Sequence, residues 1–89
     1  MNLSRLAVGS LTLTPTFDEY VTSYKATTTN SSNVITAVAF NTKATVDIMF
    51  NGTKYKSGNS LTWKTGKNVV DINVSNGDVT KTYTIEVTK

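Results

Sequence analysis

The sequence predicts an all-β protein, an antiparallel β-sandwich of seven or eight short strands. Apolar and polar residues alternate with a period of two in short runs, most clearly at residues 44–50, 68–75 and 80–88. The pairs Asn51-Gly52 and Asn76-Gly77 separate such runs, and Asn-Gly is a preferred dipeptide in two-residue hairpin turns. No stretch places its apolar residues at helical spacing, so we expect strands throughout.

In the first part of the chain, the residue pattern predicts two short strands separated by a bend. Residues 6–8 form the first strand. Pro15 excludes a central strand over residues 11–15, because proline has no N–H for the hydrogen-bond ladder. We expect a bend there that leads into Phe17, whose ring closes one end of the core. The second strand spans residues 23–27, with Tyr24 and Ala26 on one face.

The middle of the chain predicts four strands joined by short turns. The first of them carries apolar residues on both faces, which is typical of a central strand near a sandwich edge or corner. The second alternates cleanly, with Val46, Ile48 and Phe50 inward. In order, the predicted strands are residues 34–40, 44–50, 53–56 and 59–63, and the turns between them are residues 41–43, 51–52 and 57–58.

The end of the chain predicts a β-hairpin around the turn at residues 76–78. Its strands are residues 68–75 and 80–88. Their inward side chains are Val70, Ile72, Val74, Tyr83, Ile85 and Val87. Turn signals recur every eight to twelve residues or so, as in an immunoglobulin-like sandwich. We therefore interpret residues 1–89 as a single immunoglobulin-like domain.

The composition argues against most kinds of catalytic and metal site. The chain has no cysteine and no histidine, which removes thiolate nucleophiles, the commonest general base and the usual zinc ligands. Only Asp18 and Glu19 are adjacent acids, and we expect them to cap the bend after Phe17. Asp47 and Asp71 fall on outward strand positions, where we expect them to be solvated. We therefore predict no catalytic residue, no cofactor and no metal ion.

The charge pattern does not indicate a nucleic-acid or membrane partner. The net charge is +3, the lysines are spread along the chain, and Arg5 is the only arginine. Nucleic-acid-binding proteins usually cluster these residues on one element. No apolar run has the length of a membrane span, and residues 1–13 lack the charged and apolar regions of a signal peptide.

Three aromatic residues are candidate ligand contacts: Tyr55, Tyr20 and Trp63. A flat row of exposed aromatic rings on a sandwich can stack on the apolar faces of sugar rings. The alternative is that Trp63 is the core tryptophan of the sandwich and that Tyr20 covers one end. For Tyr55, on a short edge strand, the sequence leaves both interpretations open.

Both ends of the chain resemble one family. The matching segments are Leu3-Ser-Arg-Leu6-Ala-Val8, Leu13-Thr-Pro15-Thr-Phe17-Asp18 followed by Tyr24, Gly66-Lys-Asn68, and Thr80-Lys-Thr-Tyr83-Thr-Ile85-Glu-Val87. They are similar to the bacterial cadherin-like β-sandwich domain, an immunoglobulin-like module of surface proteins. The calcium sites of true cadherins are not implied, because they need clustered carboxylates.

The resemblance implies a non-catalytic structural or adhesive module. Its place would be extracellular, at a bacterial cell surface or on a phage particle as a tail or capsid decoration. Its partners would be neighbouring domains of a larger surface or virion protein and a cell-wall or surface glycan, bound weakly. The competing hypothesis is a carbohydrate-binding module that uses exposed aromatic residues.

Overall fold

The computed structural model describes residues 2–41 and 43–89, and in them eight strands form two packed sheets. The strands are β1 (Leu3–Val8), β2 (Ser23–Thr27), β3 (Ser32–Ala39), β4 (Thr45–Phe50), β5 (Thr53–Tyr55), β6 (Ser60–Thr62), β7 (Lys67–Asn76) and β8 (Val79–Thr88). One sheet has the order β1-β3-β6, and the other has the order β2-β8-β7-β4-β5. The predicted all-β sandwich is therefore confirmed. Within the described ranges, no helix is long and apolar enough to cross a membrane.

Several strand boundaries differ from the predicted ones. The first strand begins at Leu3 instead of residue 6, because Leu3 pairs with Ala39 of β3. The register of this pairing shifts between Leu3 and Arg5, as at a β-bulge. The third strand begins at Ser32, two residues earlier than predicted, since Ser32 pairs with Thr62 of β6. The turn predicted at residues 41–43 includes Thr42, which lies outside the described residues.

One strand pairing is parallel, which the alternation of residues could not indicate. β2 runs parallel to β8, with Tyr24 beside Ile85, whereas the other strand pairs are antiparallel. The connection between β1 and β2 carries the chain from one sheet to the far edge of the other. Thr14 in this connection pairs with Lys25 of β2, and no regular strand forms around Pro15, as predicted.

The closing hairpin has the predicted form. β7 and β8 pair over their whole length, from Lys67 with Thr88 to Asn76 with Val79. Gly77 adopts a φ of 63° in the turn, a left-handed conformation that glycine reaches without steric cost. All six predicted inward residues of the hairpin are buried in the core.

Two tyrosine hydroxyl groups form hydrogen bonds with main-chain groups at the end of the core where β1 begins. The Tyr83 hydroxyl accepts a hydrogen bond from the N–H of Leu3 (3.1 Å) and donates one to the carbonyl of Glu19 (2.7 Å). The Tyr24 hydroxyl donates to the carbonyl of Asp18 (2.6 Å) and accepts from the N–H of the same residue (3.0 Å). These bonds attach β1 and the bend to the five-stranded sheet.

The first and last strands place the two ends of the described fold on opposite sides of the molecule. Leu3, at the start of β1, contacts the hydroxyl of Tyr83. Lys89 exchanges two main-chain hydrogen bonds with Gly66 at the other end of β8 (2.9 and 3.0 Å). The stretch of β8 between them covers about 20 Å at the rise of a β-strand. The chain therefore enters this fold at one end and leaves it at the other.

We predict that Tyr83→Ala lowers the free energy of unfolding by about 3–5 kcal/mol, as for other large aromatic truncations in a core. Tyr83 is fully buried, so the substitution leaves a cavity between the sheets. Urea denaturation followed by circular dichroism measures the loss. Tyr83→Phe is the matched control, since it keeps the ring and removes only the hydroxyl, at a cost of about 1–3 kcal/mol. An unchanged unfolding midpoint for Tyr83→Ala would contradict the core assignment.

We also predict an alkaline loss of stability that depends on Tyr24. Burial raises the pKa of the Tyr24 hydroxyl above its ordinary value of 10.0, so the folded state favours the neutral phenol. This contribution is complete below the unfolded pKa and is lost as pH rises through the folded pKa. The stability difference between wild type and Tyr24→Phe should be constant at neutral pH and shrink above about pH 10. Urea titrations across this range test it, and a pH-independent difference would refute it.

Candidate ligand-contact surface

Trp63 belongs to the core. Its side chain is 4% exposed, and its ring meets that of Phe50 edge-on, with the centroids 5.4 Å apart. The indole N–H donates a hydrogen bond to Oδ1 of Asn33 (2.8 Å), so the polar tip of the ring is satisfied inside the protein. The structure thus corresponds to the core alternative weighed from the sequence. Trp63 offers no open ring face on which a sugar could stack.

Tyr20 lies in the bend before β2 and is 76% exposed. Asp18 holds this bend: its carboxylate accepts a hydrogen bond from the N–H of Tyr20 (2.9 Å), and its carbonyl accepts one from Val21 (2.9 Å). The predicted cap is confirmed for Asp18, whereas Glu19 contributes its main-chain carbonyl, which accepts the hydrogen bond of the Tyr83 hydroxyl. The main chain of Tyr20 is therefore held in place, while its ring remains open to solvent.

Tyr55, at the end of β5, is half-buried. Its ring centroid lies 6.4 Å from that of Phe50 at an interplanar angle of 51°, so one side of the ring packs on the core. Part of its surface faces solvent at the edge of the sheet. Tyr55 thus has both a packing role and an exposed portion.

The structure does not bring the three aromatic residues together. β5 carries Tyr55 at one edge of the five-stranded sheet, and the bend with Tyr20 leads into β2 at the opposite edge. Three strands lie between these edges, a separation of about 19 Å at the usual strand spacing. Trp63 is buried between the sheets. The three rings therefore form no common stacking platform, and their contact with a ligand stays a prediction.

The outward face of β7 and β8 is occupied by polar side chains that bond to each other. The hydroxyl of Thr82 donates to Asn73 (2.7 Å), and that of Thr84 donates to the carboxylate of Asp71 (2.9 Å). Asp47 lies on the same flat face, opposite Asn73. Glycoside hydrolysis requires two carboxylates that face each other across a cleft. The carboxylates of Asp47 and Asp71 do not have this arrangement.

Asn68 is a structural residue whose role the sequence analysis did not identify. Its side chain is buried, and Oδ1 accepts a hydrogen bond from the N–H of Lys64 (2.9 Å). Its Nδ2 lies within 3.2 Å of the carbonyl oxygens of Lys64, Gly66 and Val87. This amide fastens the turn between β6 and β7 to β8. The sequence signal for this structural role was a polar residue at an inward position of an alternating strand, two residues after Gly66.

In the described ranges, the acidic groups do not converge on a metal site. Across residues 2–41 and 43–89, no group of three or more acidic side chains is placed to hold a metal ion. Lys67 and Glu86 form an ion pair at 3.6 Å, with Lys67 well exposed. Such exposed pairs contribute little to stability.

Comparison with known proteins identifies a family. The family model described as "Cadherin-like beta sandwich domain" matches residues 6–89. No curated protein sequence matches the chain. The match covers β2 to β8 in full and the last three residues of β1, which extends from Leu3 to Val8.

We predict that the fluorescence of Trp63 is blue-shifted and resistant to acrylamide, because its indole is enclosed by the core. Addition of oligosaccharides should leave the emission unchanged. Trp63→Phe combined with Tyr20→Trp provides an exposed reference, whose emission should be red-shifted and readily quenched. Equal quenching of the wild type and this double variant would contradict the burial of Trp63.

Proposed function

Because the chain belongs to the cadherin-like β-sandwich family, we propose that it is a non-catalytic immunoglobulin-like accessory module with a structural or adhesive role. It acts in an extracellular setting, at a bacterial cell surface or on a phage particle as a tail or capsid decoration. Its partners are neighbouring domains of a larger surface or virion protein, together with a surface or cell-wall glycan that it holds weakly. It does not bind nucleic acid or insert into membranes.

The strand directions are the observation that carries this proposal. β1 starts beside Tyr83 at one end of the sandwich, and β8 leads to the pair formed by Gly66 and Lys89 at the other. A module with this geometry can be inserted in line between other domains and adds its length to the assembly. Its longest dimension is 37 Å.

The chemistry of the described residues supports a passive role. A general acid or base needs a titratable group within hydrogen-bond reach of a substrate position. The outward carboxylate of Asp71 instead accepts a bond from Thr84, and Glu86 pairs with Lys67. The absence of histidine and cysteine from the sequence points the same way.

Adhesion by such a module is weak for a single copy. The outer threonine face is flat, and Thr82 and Thr84 already bond to side chains of β7. A contact that buries little surface gives low affinity, but several linked copies gain avidity without any new contact. We therefore expect surface attachment to depend on multivalency.

A carbohydrate-binding module that uses exposed aromatic rings is the second candidate. The exposure of Tyr20, at 76%, favours it, because this ring is open to stacking. Tyr55 lies at the other edge of the sheet and would have to act separately. Under this alternative, Tyr20→Ala abolishes binding, whereas under the first proposal it has little effect.

The test compares one copy with four. Biotinylated chain is mixed with insoluble cell walls and with outer-membrane vesicles, either alone or as a tetramer on streptavidin. We expect the tetramer to sediment with at least one of these surfaces about tenfold better than the monomer, because linked sites raise the effective concentration. Streptavidin alone is the control. Failure of the tetramer to sediment with any bacterial surface would refute the adhesive role.

A further inference from the structure

A shallow polar groove runs beside β2, where the connection from β1 approaches the edge of the five-stranded sheet. Four threonines, one lysine and one glutamate line it: Thr12, Thr14, Thr27, Thr88, Lys25 and Glu86. Ala26 adds a small apolar contact. A second depression, lined by Leu11 and residues 27–30, shares Thr27 with the first. Because they share Thr27, the two depressions adjoin, and together they are here called the β2 groove.

Several hydroxyl groups of the β2 groove are available to a ligand. Within the part of the chain that the structure describes, the hydroxyls of Thr12, Thr14, Thr27 and Thr88 form no hydrogen bond with another protein group, whereas that of Thr28 accepts one from the N–H of Asn30 (2.9 Å). This differs from the neighbouring face, where the hydroxyls of Thr82 and Thr84 donate to Asn73 and Asp71. Each free hydroxyl can donate one hydrogen bond and accept two. The groove thus presents both donors and acceptors.

The lining of the groove carries one lysine and one glutamate. Lys25 on β2 is the register partner of Glu86 on β8, so a cation and a carboxylate lie on adjacent strands. Glu86 also lies 3.6 Å from Lys67. An anionic ligand would approach Glu86, and a cationic ligand would approach Lys25. A neutral ligand that is rich in hydroxyl groups can bond to both side chains without repulsion.

Main-chain pairing closes the groove to an added β-strand. The N–H and the carbonyl of Lys25 are both bonded to Thr14, each at 2.8 Å. Strand addition requires a run of unpaired main-chain groups at a sheet edge. Thr14 interrupts that run in the middle of β2. Recognition in this groove therefore depends on side-chain hydroxyls, lysine and carboxylate.

We propose that the β2 groove is the binding site for a neutral saccharide. This inference rests on the proposed glycan attachment and gives it a location away from Tyr20, Tyr55 and Trp63. The threonine hydroxyls and Glu86 bond to sugar hydroxyls, Lys25 donates to a ring or glycosidic oxygen, and Ala26 and Leu11 contact the apolar C–H groups. No aromatic ring lines the groove, so a single copy binds weakly.

The test is an amide NMR titration of the whole chain with defined sugars. The probes are neutral tetrasaccharides of β-1,4-glucose, α-1,4-glucose and β-1,4-N-acetylglucosamine, with tetragalacturonate as the anionic comparison. We expect at least one neutral probe to shift the amides of the groove, namely Thr12, Thr14, Lys25, Thr27 and Thr88. Shifts should saturate at lower concentration for that neutral probe than for the anionic one.

Paired variants attribute the binding to the groove. Thr27→Val keeps the shape of the side chain and removes its hydroxyl, and we expect a dissociation constant raised roughly twofold to tenfold, as for one lost hydrogen bond. Thr45→Val, an exposed threonine on β4 at the far side of the same sheet, should leave it unchanged. The amide spectrum of each variant shows directly whether it is folded.

Three outcomes overturn the proposal. Shifts centred on Tyr20 or Tyr55 place the sugar on the aromatic residues and leave the adhesive role intact. Binding of the anionic probe alone shows attraction by surface lysines. No shift with any neutral probe up to about 20 mM, a concentration that detects millimolar affinity, removes the groove as a saccharide site. In that last case the sedimentation assay still decides the adhesive role separately.

Discussion

The arrangement of the sandwich depends on the hydrogen bonds of the Tyr83 hydroxyl, which link the two sheets and the bend. Tyr83 lies on β8, an interior strand of the five-stranded sheet, and its hydroxyl reaches the N–H of Leu3 in the other sheet and the carbonyl of Glu19 in the bend. A buried main-chain group without a partner costs about as much as a lost hydrogen bond. One side chain therefore satisfies two such groups and aligns β1, the bend and β8.

The remaining polar anchors work in the same way at other positions. Tyr24 bonds to both main-chain groups of Asp18 in the bend, and Asn68 fastens the turn before β7 at the opposite end of the sandwich. The indole of Trp63 is satisfied by Asn33. Because these polar groups are used to close the fold, they are withdrawn from any chemistry at the surface. What remains for function is the outer surface, chiefly the β2 groove and the exposed ring of Tyr20.

The candidate site was harder to predict than the fold. The sequence offered Trp63, Tyr20 and Tyr55 as ligand contacts with packing as the alternative, and their exposure depends on which edge or end of the sandwich each one reaches. Phe50 covers Trp63 and part of Tyr55, whereas the turn at Asp18 leaves Tyr20 uncovered. The β2 groove could not be predicted at all, because it joins Thr12, Thr27 and Glu86 from three separate segments. The local alternation of apolar and polar residues does not show which distant segments of the chain lie side by side.

The sequence by itself determined the all-β class, the inward residues of β4, β7 and β8, and the closing turn at Gly77. These features follow from side-chain alternation and from the backbone freedom of glycine, which are local properties. Only the tertiary structure decided that β2 runs parallel to β8, that Asn68 is buried, and that Trp63 belongs to the core. Each of these depends on contacts between residues far apart in the chain, whose geometry is set when the two sheets pack.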